Sequence, residues 1–230
     1  MDFSKLIFRC SGLGDLMTES RSKSDPISET TKKALLKIWI ELKYNRRKSI
    51  QNKYLEKGIL QEEESITLYS SVKKDFLVNN KARMSNDFIT GEWDVLKDGV
   101  VTDIKTAWDF ETFFSHKLDG KMNKSYYWQL QGYMMLTGSK KGVIAYCLVN
   151  TREHLIESEK RSLWYKLGQP SLDDEKYLQS CDEIDKNSIF DDIPKEDRVI
   201  EQFVDRDEDA IEKLKERILT CRQWMAENFN

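Results

Sequence analysis

Asp94, Asp103 and Lys105 stand on either side of the dipeptide Asp98-Gly99. A two-residue Asp-Gly loop between β-rich runs is a strong hairpin signal, because a type I′ turn needs positive φ at both central positions. With that loop, Lys97 faces Val100, Leu96 faces Val101, and Val95 faces Thr102. Continuing outward, Asp94 faces Asp103, Trp93 faces Ile104, and Glu92 faces Lys105. Side chains alternate across a sheet. One face therefore carries Leu96/Val101, Asp94/Asp103 and Glu92/Lys105, and the other carries Trp93, Val95, Thr102 and Ile104 as a core face. Two aspartates directly opposite, with Cβ atoms roughly 4.5–5.5 Å apart, are destabilising unless something neutralises them. A divalent cation does so, and carboxylate oxygens are the donors Mg²⁺ prefers. Lys105, one step along the same face, is placed to position a metal-bound water or to help deprotonate it. The competing reading is an exposed hairpin with solvated charges, Glu92 simply pairing with Lys105.

Other residues join by spacing. Gln129 and Tyr133 are four apart, so a helix puts them on one face. Glu62 sits among Gln61, Glu63 and Glu64, a pattern an exposed helix would also show. The basic run Lys43, Arg46, Arg47, Lys48, Lys53 and Lys57 suits either a nucleic-acid backbone or a solvated helix face. His116 and His154 are isolated, and Cys10, Cys147, Cys181 and Cys221 lack metal-binding spacing, so zinc and iron–sulfur chemistry have poor support. We read the four cysteines as free thiols.

These residues need elements to hold them. Periodicity predicts a helix from about Ser28 to Tyr44 and a second from about Arg46 to Tyr69, the latter with Ile50, Tyr54, Ile59, Ile66 and Leu68 on or near an apolar face. Gly58 inside the second costs roughly 1 kcal/mol against Ala and implies close packing or a break. Further helices are expected near 108–117, 125–137 and 152–166 and from Glu208 to about Glu227, with a buried strand from Gly142 to Asn150. Ser171 to Asp209 carries 15 acids against 5 bases and reads as loop-rich. Together these predict one mixed α/β domain over residues 1–230, with a core at about 28–167 and an acidic, loop-rich extension with a terminal helix over 168–230.

Composition removes other classes. The chain of 230 residues is 39% hydrophobic with a net charge of −3, so it is neither disordered by composition nor a basic protein that coats nucleic acid. The balance is uneven: residues 1–150 carry 24 bases and 19 acids, and residues 151–230 carry 13 and 21. No apolar run approaches a membrane span and no secretory signal is seen, so a cytoplasmic location is expected.

Asp94…Asp103-Ile104-Lys105 resembles the D…(D/E)-x-K signature of the PD-(D/E)XK nuclease superfamily. Tyr127-Trp128-Gln129-Leu130-Gln131-Gly132-Tyr133 resembles the Q-x-x-x-Y helix of its RecB-like, phage-exonuclease branch. Lys57-Gly58-Ile59-Leu60-Gln61-Glu62 resembles the (R/K)-G-x-x-x-E helix of lambda-exonuclease and YqaJ-type proteins. The ordered set covers residues 57–133; Trp93 stands where the family usually has proline. The resemblance implies a restriction-endonuclease-like α/β core, a mixed central β-sheet edged by the catalytic hairpin and flanked by helices. It implies a Mg²⁺-dependent deoxyribonuclease, with Mn²⁺ able to substitute, that resects one strand of linear duplex DNA for recombination or repair. Asp94, Asp103, the carbonyl of Ile104 and Glu62 would hold the metal. Lys105 would orient the attacking water, and Gln129 and Tyr133 would orient the motif or contact a phosphate. Phe8-Arg9-Cys10-Ser11 resembles the segment that binds a DNA 5′-phosphate through Arg9 and Ser11; a capping Ser11 beside a surface Arg9 is the other reading. Arg46 and Arg47 are further candidates for contact with DNA. Implied partners are duplex DNA ends, a single-strand annealing protein and a ring-shaped homo-oligomer. The alternatives are a structure-specific or restriction-type endonuclease and a non-catalytic DNA-binding protein on the same fold.

Overall fold

The computed structural model describes residues 1–22, 24–48, 52–118 and 121–229. The chain opens with strand β1 (Phe8–Arg9), one 3-10 turn (Cys10–Gly12) and helix α1 (Leu13–Leu16). Helix α2 (Glu29–Tyr44) starts where Ser28 accepts a bond from the Thr31 N–H at 3.1 Å, and stops at Asn45 in the left-handed region, φ 50°. The expected second helix is two: α3 (Lys53–Leu60) and α4 (Glu62–Lys73), broken at Gln61. The start expected from Arg46 is not seen, because Arg46 and Arg47 lie outside helix; Ile50 falls outside the described residues. The break comes at Gln61, whose side-chain amide donates to the Asn150 carbonyl and so ties the joint to the rest of the fold. Gly58 is not the cause, since a Cβ there would meet nothing within 4 Å.

Strands β2 (Met84–Ser85), β3 (Ile89–Gly91), β4 (Val95–Lys97) and β5 (Val100–Thr106) follow. Then come α5 (Phe110–Leu118), α6 (Lys124–Thr137), strand β6 (Lys141–Cys147), α7 (Glu153–Lys166), α8 (Glu175–Lys186), strand β7 (Val199–Asp205) and α9 (Glu208–Asn228). The main sheet has the order β4-β5-β6-β7, with β5 and β6 parallel and the outer pairs antiparallel. A smaller sheet, β1-β3-β2, lies earlier in the chain. This is the mixed α/β architecture expected.

The hairpin register is as read from the sequence: Val95 opposite Thr102, Leu96 opposite Val101, Lys97 opposite Val100. Asp98 and Gly99 have φ of 50° and 75°, the pair of positive values a type I′ turn requires. The ladder ends there, which corrects the three outer pairs. Asn80 takes over the main chain of the other strand: its amide Nδ2 donates to the Trp93 carbonyl at 3.0 Å and its N–H to the Asp94 carbonyl at 2.7 Å. The Asp94 side chain then accepts from the Ile104 N–H in place of the strand. Freed from the pleat, Trp93 packs edge-on to Tyr133, ring centroids 6.1 Å apart, away from Val95 and Ile104. Glu92 pairs with Arg83 at 3.0 Å, and Lys105 turns to Asp103.

Both faces of β5 are covered. On one, Val101 joins Leu130, Tyr133 and Met134 of α6 and Leu214, Ile218 and Met225 of α9 in a large core. On the other, Ile104 and Val95 join Ile66, Leu68 and Tyr69 of α4. The segment expected to be loop-rich supplies α8 and β7, and apolar residues before 28 and after 167, Phe3, Leu13 and Leu214 among them, are in the core. Two of the acids there, Glu201 and Asp205, lie on edge strand β7; Glu201 accepts from the Tyr69 hydroxyl at 2.6 Å and pairs with Lys73 at 3.1 Å. All four cysteines are free, three of them buried.

Helix α1 sits on the start of α6 at a glycine: a Cβ at Gly14 would lie 2.6 Å from the Ser125 Cα. Gly14→Ala must push the two helices apart and should cost about 1–3 kcal/mol. Gly58→Ala should instead stabilise by roughly 0.5–1 kcal/mol, as an open helix-interior position. Urea midpoints with unchanged m-values would show both; equal shifts in one direction would contradict this packing.

Candidate active site

Asp103 and Lys105 share one face of β5, turned toward α6. Asp103 is 3% exposed. Its Oδ1 accepts from Gln129 Nε2 at 2.8 Å, and its Oδ2 faces Lys105 Nζ at 2.5 Å. Gln129 Nε2 also lies 2.8 Å from the Tyr133 hydroxyl oxygen, to which it donates. The spacing of Gln129 and Tyr133 on one turn of α6 thus builds a bracket behind Asp103. Asp94 reaches the same place from the end of β4, held by the Ile104 N–H.

The electrostatics follow from burying two carboxylates together. Asp94 is pushed up to about 7, first by burial, then by the charge of Asp103 and, more weakly, of Glu62; the Ile104 N–H and Lys105 oppose this. For Lys105, burial works against the ammonium, but Asp103, Tyr126 and Asp94 together outweigh it and raise its pKa. Lys105 therefore keeps its proton, with its ammonium 5.1 Å from the Tyr126 ring centre. Burial and the Asp103 charge push the Tyr133 hydroxyl up as well, so it stays neutral.

Glu62 is the first residue of α4, and its Oε1 accepts from Asn79 Nδ2 at 2.8 Å. Asn79 precedes Asn80, which holds the main chain of Trp93 and Asp94. Glu62 is thus tied to the segment bearing Asp94; Glu63 accepts from the same amide at 3.1 Å but is 68% exposed and pairs with Lys81. Glu62 does not close on the aspartates: among the described residues, no three His, Cys, Asp or Glu groups stand close enough to hold a metal. The site still fits a hard cation in its chemistry. A buried and a half-buried carboxylate share a single lysine, and Asp94 is driven toward the protonated state by desolvation and by the charge of Asp103.

The remaining candidates lie further out. Arg9 stands on β1 opposite Thr90 of β3, the strand that leads toward Asp94, and pairs with Glu41 at 3.4 Å. Ser11 is exposed in the turn that follows. Arg46 and Arg47 are exposed in the connection after α2, and the structure does not join them to the carboxylates. Lys57 leaves the basic run altogether. It is 1% exposed, donates to the Trp108 carbonyl at 2.7 Å, and burial lowers it to about 7 against the pull of Asp109. Sequence reasoning passed over Asn79 and Asn80; adjacent asparagines signal only a local side-chain-to-backbone turn.

Against solved structures the chain is similar to a phage-related exonuclease from Haemophilus somnus 129PT, with a TM-score of 0.76 and 28% identity over 97% of this chain and 96% of that one. An alkaline exonuclease from Laribacter hongkongensis shares the fold at a TM-score of 0.65 and 12% identity, over 97% of this chain and 90% of that one. The same exonuclease in complex with dAMP gives 0.64 and 12%, over 98% and 91%. No protein-family model matches the chain, and no curated protein matches it. No helix among the described residues is long and apolar enough to cross a membrane.

The burden on Asp94 has a pH signature. Between its ordinary value of 3.8 and about 7, the folded chain holds a proton that the unfolded chain has released. Stability from this group therefore falls as pH rises through that window and levels off above it. In metal-free buffer, Asp94→Asn should melt several degrees above the wild type at pH 8 and match it near pH 4. A gap that does not change with pH would show that Asp94 carries no such load.

Proposed function

We propose, from the chain's place in the lambda-exonuclease-like branch of the PD-(D/E)XK superfamily, that it is a Mg²⁺-dependent deoxyribonuclease resecting one strand of linear duplex DNA. The observation that carries this reading is half-buried Asp94 beside buried Asp103, with Lys105 at 2.5 Å and Gln129 at 2.8 Å from the two oxygens of Asp103. Asp94, Asp103 and the Ile104 carbonyl would hold the metal, with Glu62 drawn in to complete the set. When bound, the metal supplies positive charge to the phosphoryl oxygens and lowers the pKa of water.

The chain's own groups do the rest. Gln129 fixes the Asp103 carboxylate in one orientation, leaving its second oxygen toward Lys105. Because Lys105 holds its proton, it acts as a donor and a fixed charge: it orients the attacking water and steadies negative charge developing on the phosphate. Proton abstraction by Lys105 is not needed. Tyr133, neutral and buried, backs Gln129. Arg9 and Ser11 suit a 5′-phosphate at the duplex end, the guanidinium giving a charge-assisted bond and the hydroxyl a second donor. The same reading extends to recombination or repair, with a single-strand annealing protein as partner and copies of this chain forming a ring.

The test is digestion of linear 5′-phosphorylated duplex with Mg²⁺, or Mn²⁺ in its place. Wild type should shorten the duplex from its ends and leave supercoiled circles intact. Lys105→Ala and Asp103→Ala should each lose about 100-fold or more in rate. Arg9→Ala should erase any preference for phosphorylated over dephosphorylated ends. Equal rates for wild type, Lys105→Ala and Asp103→Ala would overturn the site, and cleavage of the circles would make the enzyme an endonuclease.

A further inference from the structure

The connection from α4 to β2, residues 74–83, forms no helix or strand, yet it bonds both acidic arms of the carboxylate site. It leaves α4 at Lys74, in the left-handed region with φ 52°. The Leu77 N–H then donates to Ser70 Oγ at 3.1 Å, and Leu77 packs against the core shared by α4 and β5. This anchors the chain just before Asn79 and Asn80, which are both half-buried.

Each asparagine serves a different arm. Asn80 grips two successive carbonyls: its Nδ2 donates to Trp93 at 3.0 Å and its N–H to Asp94 at 2.7 Å. The same side chain closes a turn on its own segment. Its Oδ1 accepts from the Ala82 N–H at 3.1 Å, and its Nδ2 also donates to the Ala82 carbonyl at 2.8 Å. Asn80 is therefore fixed itself where it fixes the main chain of Asp94, whose side chain then reaches the Ile104 N–H. Asn79 Nδ2 donates to Glu62 Oε1 at 2.8 Å and to Glu63 Oε1 at 3.1 Å. One oxygen of Glu62 is thus held, and its Oε2 takes no bond among the described residues. The residue type matters. A lysine or arginine here would neutralise Glu62 and compete with a bound cation; an amide sets direction without supplying charge.

We propose that Asn79 and Asn80 are positioning residues of the metal site, a two-residue yoke that sets Glu62 against Asp94 and so fixes the gap a cation closes. The proposal rests on the metal-dependent reading above. It adds that the spacing of these acids is set from the α4–β2 connection and not by the hairpin ladder, which ends at Val95.

Two measurements on the full chain test it, the first without metal. In metal-free buffer, amide hydrogen exchange at the Ile104 N–H reports whether Asp94 is in place. Asn80→Ser keeps a hydroxyl that can close the turn to Ala82 but is too short to reach the Trp93 carbonyl. It should speed exchange at Ile104 at least tenfold, while the amides of β5 bonded to β6 keep wild-type rates. The second measurement is calorimetric titration with Mn²⁺. Wild type should bind Mn²⁺ saturably, Asp103→Ala should lose it, and Asn80→Ser and Asn79→Ala should each weaken it by about 10–100-fold. The Asn79 side chain bonds only Glu62 and Glu63 among the described residues, so Asn79→Ala keeps the test valid if Asn80→Ser unfolds. Wild-type exchange at Ile104 in Asn80→Ser would overturn the yoke, and so would equal acceleration along all of β5, which is general loosening. Wild-type Mn²⁺ affinity in both asparagine variants, with the ion lost in Asp103→Ala, would overturn the yoke and leave the nuclease site standing. No saturable Mn²⁺ binding by wild type, or binding unchanged in Asp103→Ala, would overturn the site itself and the yoke with it.

Discussion

Asp103 is a carboxylate taken almost wholly out of water, and the surrounding structure answers that cost. An isolated buried carboxylate is expensive unless it is paired and hydrogen-bonded. Gln129 satisfies one oxygen and Lys105 faces the other. Asp94 beside it is desolvated and meets the charge of Asp103, and its proton affinity rises although Lys105 opposes this. With both carboxylates ionised the cluster is short of one positive charge, which is what supports the proposed cation there.

Holding such a cluster requires a strand covered on both sides. Strand β5 is the interior strand that carries it, flanked by β4 and β6 and sandwiched between α6 and α4. Helix α6 delivers Gln129 and Tyr133 on one face, and α4 begins with Glu62 on the other side of the hairpin segment. The main-chain contacts of Asn80 let Asp94 leave the ladder and use its side chain at Ile104, which brings it to Asp103 without strand pairing. The late strand β7 closes the sheet beyond β6, and its Glu201 ties that edge back to Tyr69 and Lys73 of α4.

Much of this was legible before any coordinates. The turn at Asp98-Gly99 and three of the hairpin pairs follow from local backbone preference, because few dipeptides adopt two successive positive φ values. The alignment of Gln129 with Tyr133 follows from the helical repeat, and the start of α2 from a serine that can cap it. Periodicity also located α6, α7, β6 and α9 closely. These are interactions between residues near one another in the chain, where spacing and type are enough.

What the sequence by itself determined is therefore the chemistry on offer: two aspartates, a lysine, a glutamine and a glutamate in a readable order. Tertiary structure alone decided which of them meet and in what charge state. The outer hairpin pairs failed because Asn80, 13 residues before Trp93, took the carbonyl that pairing would have used. Both Glu62 and Glu63 accept from Asn79, yet it is Glu62 whose charge reaches Asp94, a difference two adjacent glutamates do not show in sequence. Lys57 ceased to be a surface cation because Trp108 and Phe190 enclosed it. The last part of the acidic segment, Val199–Asp205, is a strand because it pairs with the edge of β6. Each outcome depends on desolvation and on hydrogen-bond partners supplied from far along the chain, and local spacing carries no record of either.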